Sequence, residues 1–121
     1  MLTDTVIRHR PPGEGRAIPE LESQDVGGVE LPYLHYPGNE RKTVFCHATG
    51  FLPWLWHPVI EKLDFNDSIW APYTCNYRGG DPHNGGLSWN TIARDLAFFC
   101  SARGIDLPLM IGHSMGATVS V

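Results

Sequence analysis

This chain reads as an α/β protein, an N-terminal hairpin followed by parallel strands with crossover helices. Three observations predict it. A Gly27-Gly28 pair separates two strand-like runs. Beyond it, short apolar runs alternate with segments whose apolar residues recur at helical spacing. That alternation implies right-handed crossovers and a parallel sheet covered on both faces. Near the end, the apolar run Leu109-Met110-Ile111 passes into Gly112-His113-Ser114-Met115-Gly116-Ala117, a sharp strand-to-helix turn.

The elements follow in order. Residues 1–19 contain Pro11-Pro12-Gly13-Glu14-Gly15 and few apolar side chains, and read as a flexible N-terminal arm ahead of a domain over 20–121. Leu21 to Val26 and Val29 to Tyr36 are the arms of the hairpin, and Gly27-Gly28 supplies the positive φ values of a two-residue turn. Pro32 has no N–H to give a ladder, which predicts an exposed or irregular strand at that point. Thr43 to Cys46 is a short run of the kind buried on both faces of a sheet. His47 to Pro53 is a loop. A helix is expected over Leu55 to Leu63, with Trp56, Val59, Ile60 and Leu63 on one face and Pro58 in its first turn. Ser68 to Cys75 is the next strand, although Pro72 counts against it. The glycine-rich stretch from Asn76 to Leu87 is loop, and Ser88 is a helix N-cap. The helix it opens runs from Trp89 to about Arg103 on the apolar face Ile92, Ala93, Leu96, Phe99 and Cys100 or Arg103, with Gly104 as its stop. Leu107 to Ile111 is the last strand, and Met115 to Val121 begins a helix.

Composition excludes several classes. Of 121 residues, 42% are hydrophobic and 18% charged, which is the balance of a globular chain rather than a disordered one. The net charge of -4 is mild and there is no basic cluster, so nucleic acid is not an expected partner. No apolar run is long enough to span a bilayer. No apolar stretch follows the charged N-terminus as a secretory signal requires, and the expected location is cytoplasmic. The three cysteines, Cys46, Cys75 and Cys100, are odd in number and far apart, and read as free thiols packing as small apolar groups. His47, His57 and Cys46 fit no zinc spacing, so neither a metal nor a cofactor is expected. A nucleotide site is not expected either, because Gly-Lys-Ser/Thr and Gly-x-Gly-x-x-Gly are both absent.

The chemistry concentrates at Ser114. The Gly-x-Ser-x-Gly form is that of a nucleophile elbow, which pushes a serine hydroxyl out of the top of a parallel sheet. Gly112 and Gly116 are needed there because a larger side chain would strike the neighbouring strand or helix. A serine hydroxyl needs a base to attack a carbonyl, and the developing oxyanion needs fixed donors. The backbone N–H of Met115, at the start of a helix, is one candidate donor. Trp54 and Trp56 are candidates for an acyl pocket, or for packing the first helix on the sheet. Asp81, Asp95 and Asp106 read as a loop residue, an exposed helix residue and a pre-strand turn residue.

Three motifs now agree in type and order with one family. His47-Ala48-Thr49-Gly50-Phe51, Tyr77-Arg78-Gly79-Gly80-Asp81 and Gly112-His113-Ser114-Met115-Gly116 resemble the His-Gly-x loop, the Asp-x-Arg-Gly-x-Gly loop and the elbow of α/β-hydrolases. The resemblance covers about residue 20 to the end. It implies a partial α/β-hydrolase fold cut after the elbow, with Ser114 as nucleophile, Met115 and Thr49 as backbone oxyanion donors, and His47 and Gly50 as structural residues of the first loop. Ala48 stands where the family commonly has glycine. Serine at the elbow argues against the dehalogenase and epoxide-hydrolase branches, which use aspartate, and against the dienelactone branch, which uses cysteine. The expected function is hydrolysis of a carboxylic ester or related acyl substrate through an acyl-enzyme. In this family the acid and the histidine follow the serine, and Val121 lies only seven residues beyond Ser114. The expectation is therefore an N-terminal half that is inactive and folds poorly by itself. The competing expectation is a non-catalytic hydrolase-fold fragment or binding module.

Overall fold

The computed structural model describes residues 16–48, 52–63, 66–73 and 89–120. Its centre is a five-stranded sheet of β1 (Glu22–Asp25), β2 (Glu30–Tyr36), β3 (Lys42–Cys46), β4 (Ser68–Pro72) and β5 (Leu109–Gly112). A 3₁₀ turn (Pro53–Trp56) and α1 (His57–Ile60) follow β3. The helix α2 (Trp89–Ala102) precedes β5, and α3 (Met115–Val119) follows it. The strand order is β1-β2-β4-β3-β5. β1 and β2 run antiparallel, β2 and β4 antiparallel, and β3 is parallel to both β4 and β5.

The opening hairpin forms as the glycines require. Continued one step past its last pair, Asp25↔Glu30, the register sets Val26 opposite Val29 and leaves Gly27 and Gly28 as the two loop residues, at φ 82° and 98°. Val26 N–H donates to the Val29 carbonyl at 2.8 Å, and Gly28 N–H to Asp25 Oδ1 at 3.0 Å. Pro32 is a correction. It lies within an interior strand, between β1 and β4, rather than at an exposed or irregular point. The strand tolerates it because its neighbour across the sheet is Tyr73, one residue past the end of β4. Tyr73 N–H still donates to the Pro32 carbonyl at 2.8 Å, so only a terminal bond is missing. Pro72 likewise closes β4, beyond the last β3–β4 pair, Val44↔Trp70.

Alternation along the strands sends side chains to two cores. On one face Leu31, Tyr33, Val44, Cys46 and Trp70 meet Ile92, Leu96 and Phe99 of α2 and Met115 and Val119 of α3. On the other, Leu34, Tyr36, Phe45, Ile69 and Ala71 meet Ile60 of α1. The sheet is thus covered on both faces, as parallel strands require.

α2 ends as the sequence predicts. Gly104 takes φ 68°, Ile105 N–H reaches the Cys100 carbonyl at 2.8 Å and Gly104 N–H the Ser101 carbonyl at 3.1 Å. This pair of bonds is a Schellman cap, and the buried Ile105 supplies its apolar contact. Asp95 differs from expectation, being buried at 6% exposure rather than exposed. It sits three residues after Ile92 and four before Phe99, on the apolar face. β5 begins at Leu109, two residues late, because Leu107 occupies a turn at φ 47° with its side chain in solvent. Ser88, Cys75 and the 76–87 loop lie outside the described residues, as does most of the expected arm. Arg16, the first described residue, is buried.

The helix expected over Leu55 to Leu63 is also different. Pro58 cannot donate the N–H that an α-helical ladder would send to Trp54. His57 N–H takes the Trp54 carbonyl instead, in 3₁₀ fashion, and α-helix begins only at His57. Of the expected apolar face, Ile60 is in the core with Trp56 and Leu63 packed against its cluster, whereas Val59 is 45% exposed.

Candidate active site

β3 and β5 are adjacent and parallel, and their last residues, Cys46 and Gly112, pair with each other. The residues that follow, His47-Ala48 and His113-Ser114, therefore leave the sheet side by side at its carboxyl end. Catalytic groups of parallel sheets gather at that end. His113 N–H donates to the Cys46 carbonyl at 3.1 Å, joining the two segments.

The turn at Ser114 is tight and strained. Ser114 has φ 56° and ψ -116°, a region that side-chain-bearing residues seldom adopt. Its side chain is exposed and does not cap α3. Thr118 N–H closes the first turn of α3 onto the Ser114 carbonyl at 3.1 Å. Met115, the first residue of α3, has no carbonyl of its own helix to receive its N–H, while its side chain is buried in the core.

The flanking glycines serve clearance. A Cβ at Gly112 would come within 2.5 Å of Ala117 Cα, and one at Gly116 would collide with the backbone carbonyl of Cys46. The start of α3 thus rests directly on the end of β3, which only glycine permits.

His47 is 2% exposed, and its Nδ1–H donates to the Ala48 carbonyl at 2.7 Å. A carbonyl only accepts, so the proton sits on Nδ1. Burial holds the ring below its ordinary value of 6.5 and keeps it neutral. Cys46 is fully buried, and desolvation pushes its thiol up to about 12, so it is protonated and inert as a nucleophile. Thr49, Gly50 and the 77–81 motif lie outside the described residues. Among the described residues no group of three His, Cys, Asp or Glu could hold a metal, and no helix is long and apolar enough to cross a membrane.

Beside the elbow is a cleft of about 180 Å³ lined by His47, Ala48, Leu55, Trp56, Val59 and His113. Of the two tryptophans singled out in the sequence, Trp56 lines it and packs edge-on against Phe45, with ring centroids 4.9 Å apart. Trp54 instead meets Tyr73. Leu55 and Val59 were not expected here. Tyr36 OH and His57 Nδ1, hydrogen-bonded at 2.9 Å, tie the start of α1 to the sheet.

No protein-family model matches the chain, and no curated protein matches it in sequence. Solved structures do match in shape. The epoxide hydrolase VrEH1 from Vigna radiata aligns with a TM-score of 0.72 at 19% identity, over 84% of this chain and 32% of its own. A membrane phospholipase A described as a bacterial virulence factor aligns at 0.73 and 23% identity, over 84% and 33%. Cfl2 from Burkholderia cenocepacia aligns at 0.71 and 20% identity, over 94% and 38%. The chain thus spans about a third of the length of the proteins it matches. From sheet order, elbow and these likenesses together, the chain has the α/β-hydrolase fold, matched over part of the length that its structural neighbours possess.

Proposed function

We propose that Ser114 is the nucleophile of a serine hydrolase acting on a carboxylic ester or related acyl substrate. The observation that carries this reading is the backbone of Ser114 itself. A strained conformation is retained at Ser114, where an exposed hydroxyl stands between a strand end and a helix start. The structural neighbours include a phospholipase and epoxide hydrolases, at identities that speak for the fold. Serine rather than aspartate at the elbow favours acyl transfer over epoxide opening.

In this reading Ser114 Oγ attacks the carbonyl carbon while its proton passes to a histidine base. The oxyanion is received by the N–H groups of Met115 and Thr49. Collapse of the intermediate breaks the C–O bond, and the alcohol leaves with the proton. Water then attacks the acyl-enzyme and returns the hydroxyl of Ser114. The base and its carboxylate partner belong to the whole protein, in the order serine, acid, histidine. His47 is neutral, buried and already bonded to Ala48, which suits a structural role in the loop.

The test is labelling of the full-length protein with an alkyl fluorophosphonate. Expected is a single adduct at Ser114, lost in Ser114→Ala together with about a million-fold of the esterase rate. No adduct, or an unchanged rate in Ser114→Ala, would establish the binding-module alternative or another chemistry.

A further inference from the structure

Resting on the assignment of Ser114 as nucleophile and Thr49 as oxyanion donor, we propose that Tyr36 and His57 are positioning residues for the reaction. Their hydrogen bond fixes the exit of the loop that carries Thr49.

The loop enters from a fixed point. Cys46 is paired with Gly112, and His47 Nδ1–H is bonded to the Ala48 carbonyl. At its exit the loop meets a 3₁₀ turn instead of a ladder. Leu55 N–H donates to the Leu52 carbonyl at 3.0 Å and His57 N–H to the Trp54 carbonyl, and α1 follows at once. α1 is four residues long, and a helix of about one turn does not hold itself in water. Tertiary contacts must therefore set where the loop ends.

The apolar contacts of Trp56, Ile60 and Leu63 with the sheet have no direction of their own, and they tolerate a slide or rotation of a short helix. The bond between Tyr36 OH and His57 Nδ1 does not, because a hydrogen bond weakens steeply out of line. It is 2.9 Å long, and the two rings stack with planes 15° apart and centroids 5.9 Å apart. Bond and stack together set the place and the tilt of the His57 ring. His57 closes the 3₁₀ turn and begins α1, so the end of the loop is set with it.

The sheet side of the pair is rigid. Tyr36 is buried, and its strand lies between β1 and β4, with Tyr36 itself paired to Ile69. Burial raises the phenol above its ordinary 10.0, so the proton stays on the oxygen. That hydroxyl can donate to a bare Nδ1 or accept from an Nδ1–H, and the tie holds with either tautomer of the ring. An oxyanion donor works by being aimed before the charge develops. A loop free to shift at one end loses rate with its donor still present.

The experiment compares full-length wild type with Tyr36→Phe, His57→Leu, the double variant and His57→Asn, which keeps a hydrogen-bonding atom near the place of Nδ1. Each is assayed on p-nitrophenyl acetate and by its rate of fluorophosphonate labelling, at a temperature where denaturant unfolding shows it folded. Outright loss of an oxyanion donor costs about a hundredfold or more in kcat, so a displaced donor should cost about tenfold. Expected is that loss in Tyr36→Phe and in His57→Leu, with KM within about twofold and a parallel fall in labelling rate. The double variant loses no more than either single one, and His57→Asn recovers part of the rate. Where acetate is not turned over, the labelling rate carries the same comparison. Thr43→Val controls for stability alone. It removes the 3.0 Å hydrogen bond from Thr43 to Asp67, at the amino end of the parallel strands, and leaves both rates unchanged. Unchanged rates in Tyr36→Phe while Ser114 still labels, or a loss that Thr43→Val reproduces, overturn the positioning role and leave the nucleophile standing. No adduct on wild-type Ser114 removes the nucleophile, and the positioning role with it.

Discussion

The backbone enters the left-handed region both at the hairpin and at the elbow, and the two turns use glycine for opposite purposes. In the hairpin, Gly27 and Gly28 carry the positive φ values themselves, and a Cβ at Gly28 would meet nothing within 4 Å. At the elbow, Gly112 and Gly116 lie outside that region and are needed only because strand and helix approach too closely for a side chain. The unfavourable φ falls to Ser114. Where a chain needs only to reverse, glycine does so with little strain. Where strain is kept on a residue with an exposed hydroxyl, it supports the proposal that the hydroxyl acts.

That contrast can be broken experimentally, and the largest effect belongs to clearance. Gly116→Ala drives a methyl into the Cys46 carbonyl and should cost about 3 kcal/mol or more in denaturant unfolding of the full-length protein, since backbone cannot step aside cheaply. A loss below about 1 kcal/mol would mean that α3 does not rest on β3.

Next is the strain itself. Ser114→Gly should stabilise by about 1–2 kcal/mol while abolishing fluorophosphonate labelling. A destabilised variant would show that the serine side chain holds the turn.

Smaller again is Gly28→Ala, which faces open space but keeps φ near 98°. Its cost should be about 1–2 kcal/mol, from conformation alone. Equal costs at Gly28 and Gly116 would erase the distinction between the two turns.

The smallest effect is in pH. Burial holds His47 and His35 below their ordinary 6.5, so the unfolded chain takes up protons first as the pH falls. Stability should therefore decline just below pH 6.5 and level off once the folded pKa values are passed. His47→Gln should flatten that decline. In hydrogen exchange, amides around the elbow, which rests on Cys46 and His47, should open before those of the hairpin.

Much of the fold and part of the site could be read before any coordinates. Hairpin register, the Gly104 stop, the element order and the two elbow glycines were all legible, because each depends on atoms a few residues apart. The burial of Asp95 was legible too, from its spacing to Ile92 and Phe99, but its charge argued the other way. The cleft was less so. Trp56 stood out by size, whereas Leu55 and Val59 line the cleft without a signal in the helical spacing, which placed Val59 in the core.

Local chemistry thus determined that the chain makes an α/β sheet with Ser114 at a sharp bend, since sterics and hydrogen bonding within a turn follow from the residues in it. The order β1-β2-β4-β3-β5, the place of Pro32 inside that sheet, and the placing of His47 and His113 on one cleft were decided by tertiary structure. They depend on which strands become neighbours across dozens of residues, and that choice is made by the packing of both faces at once.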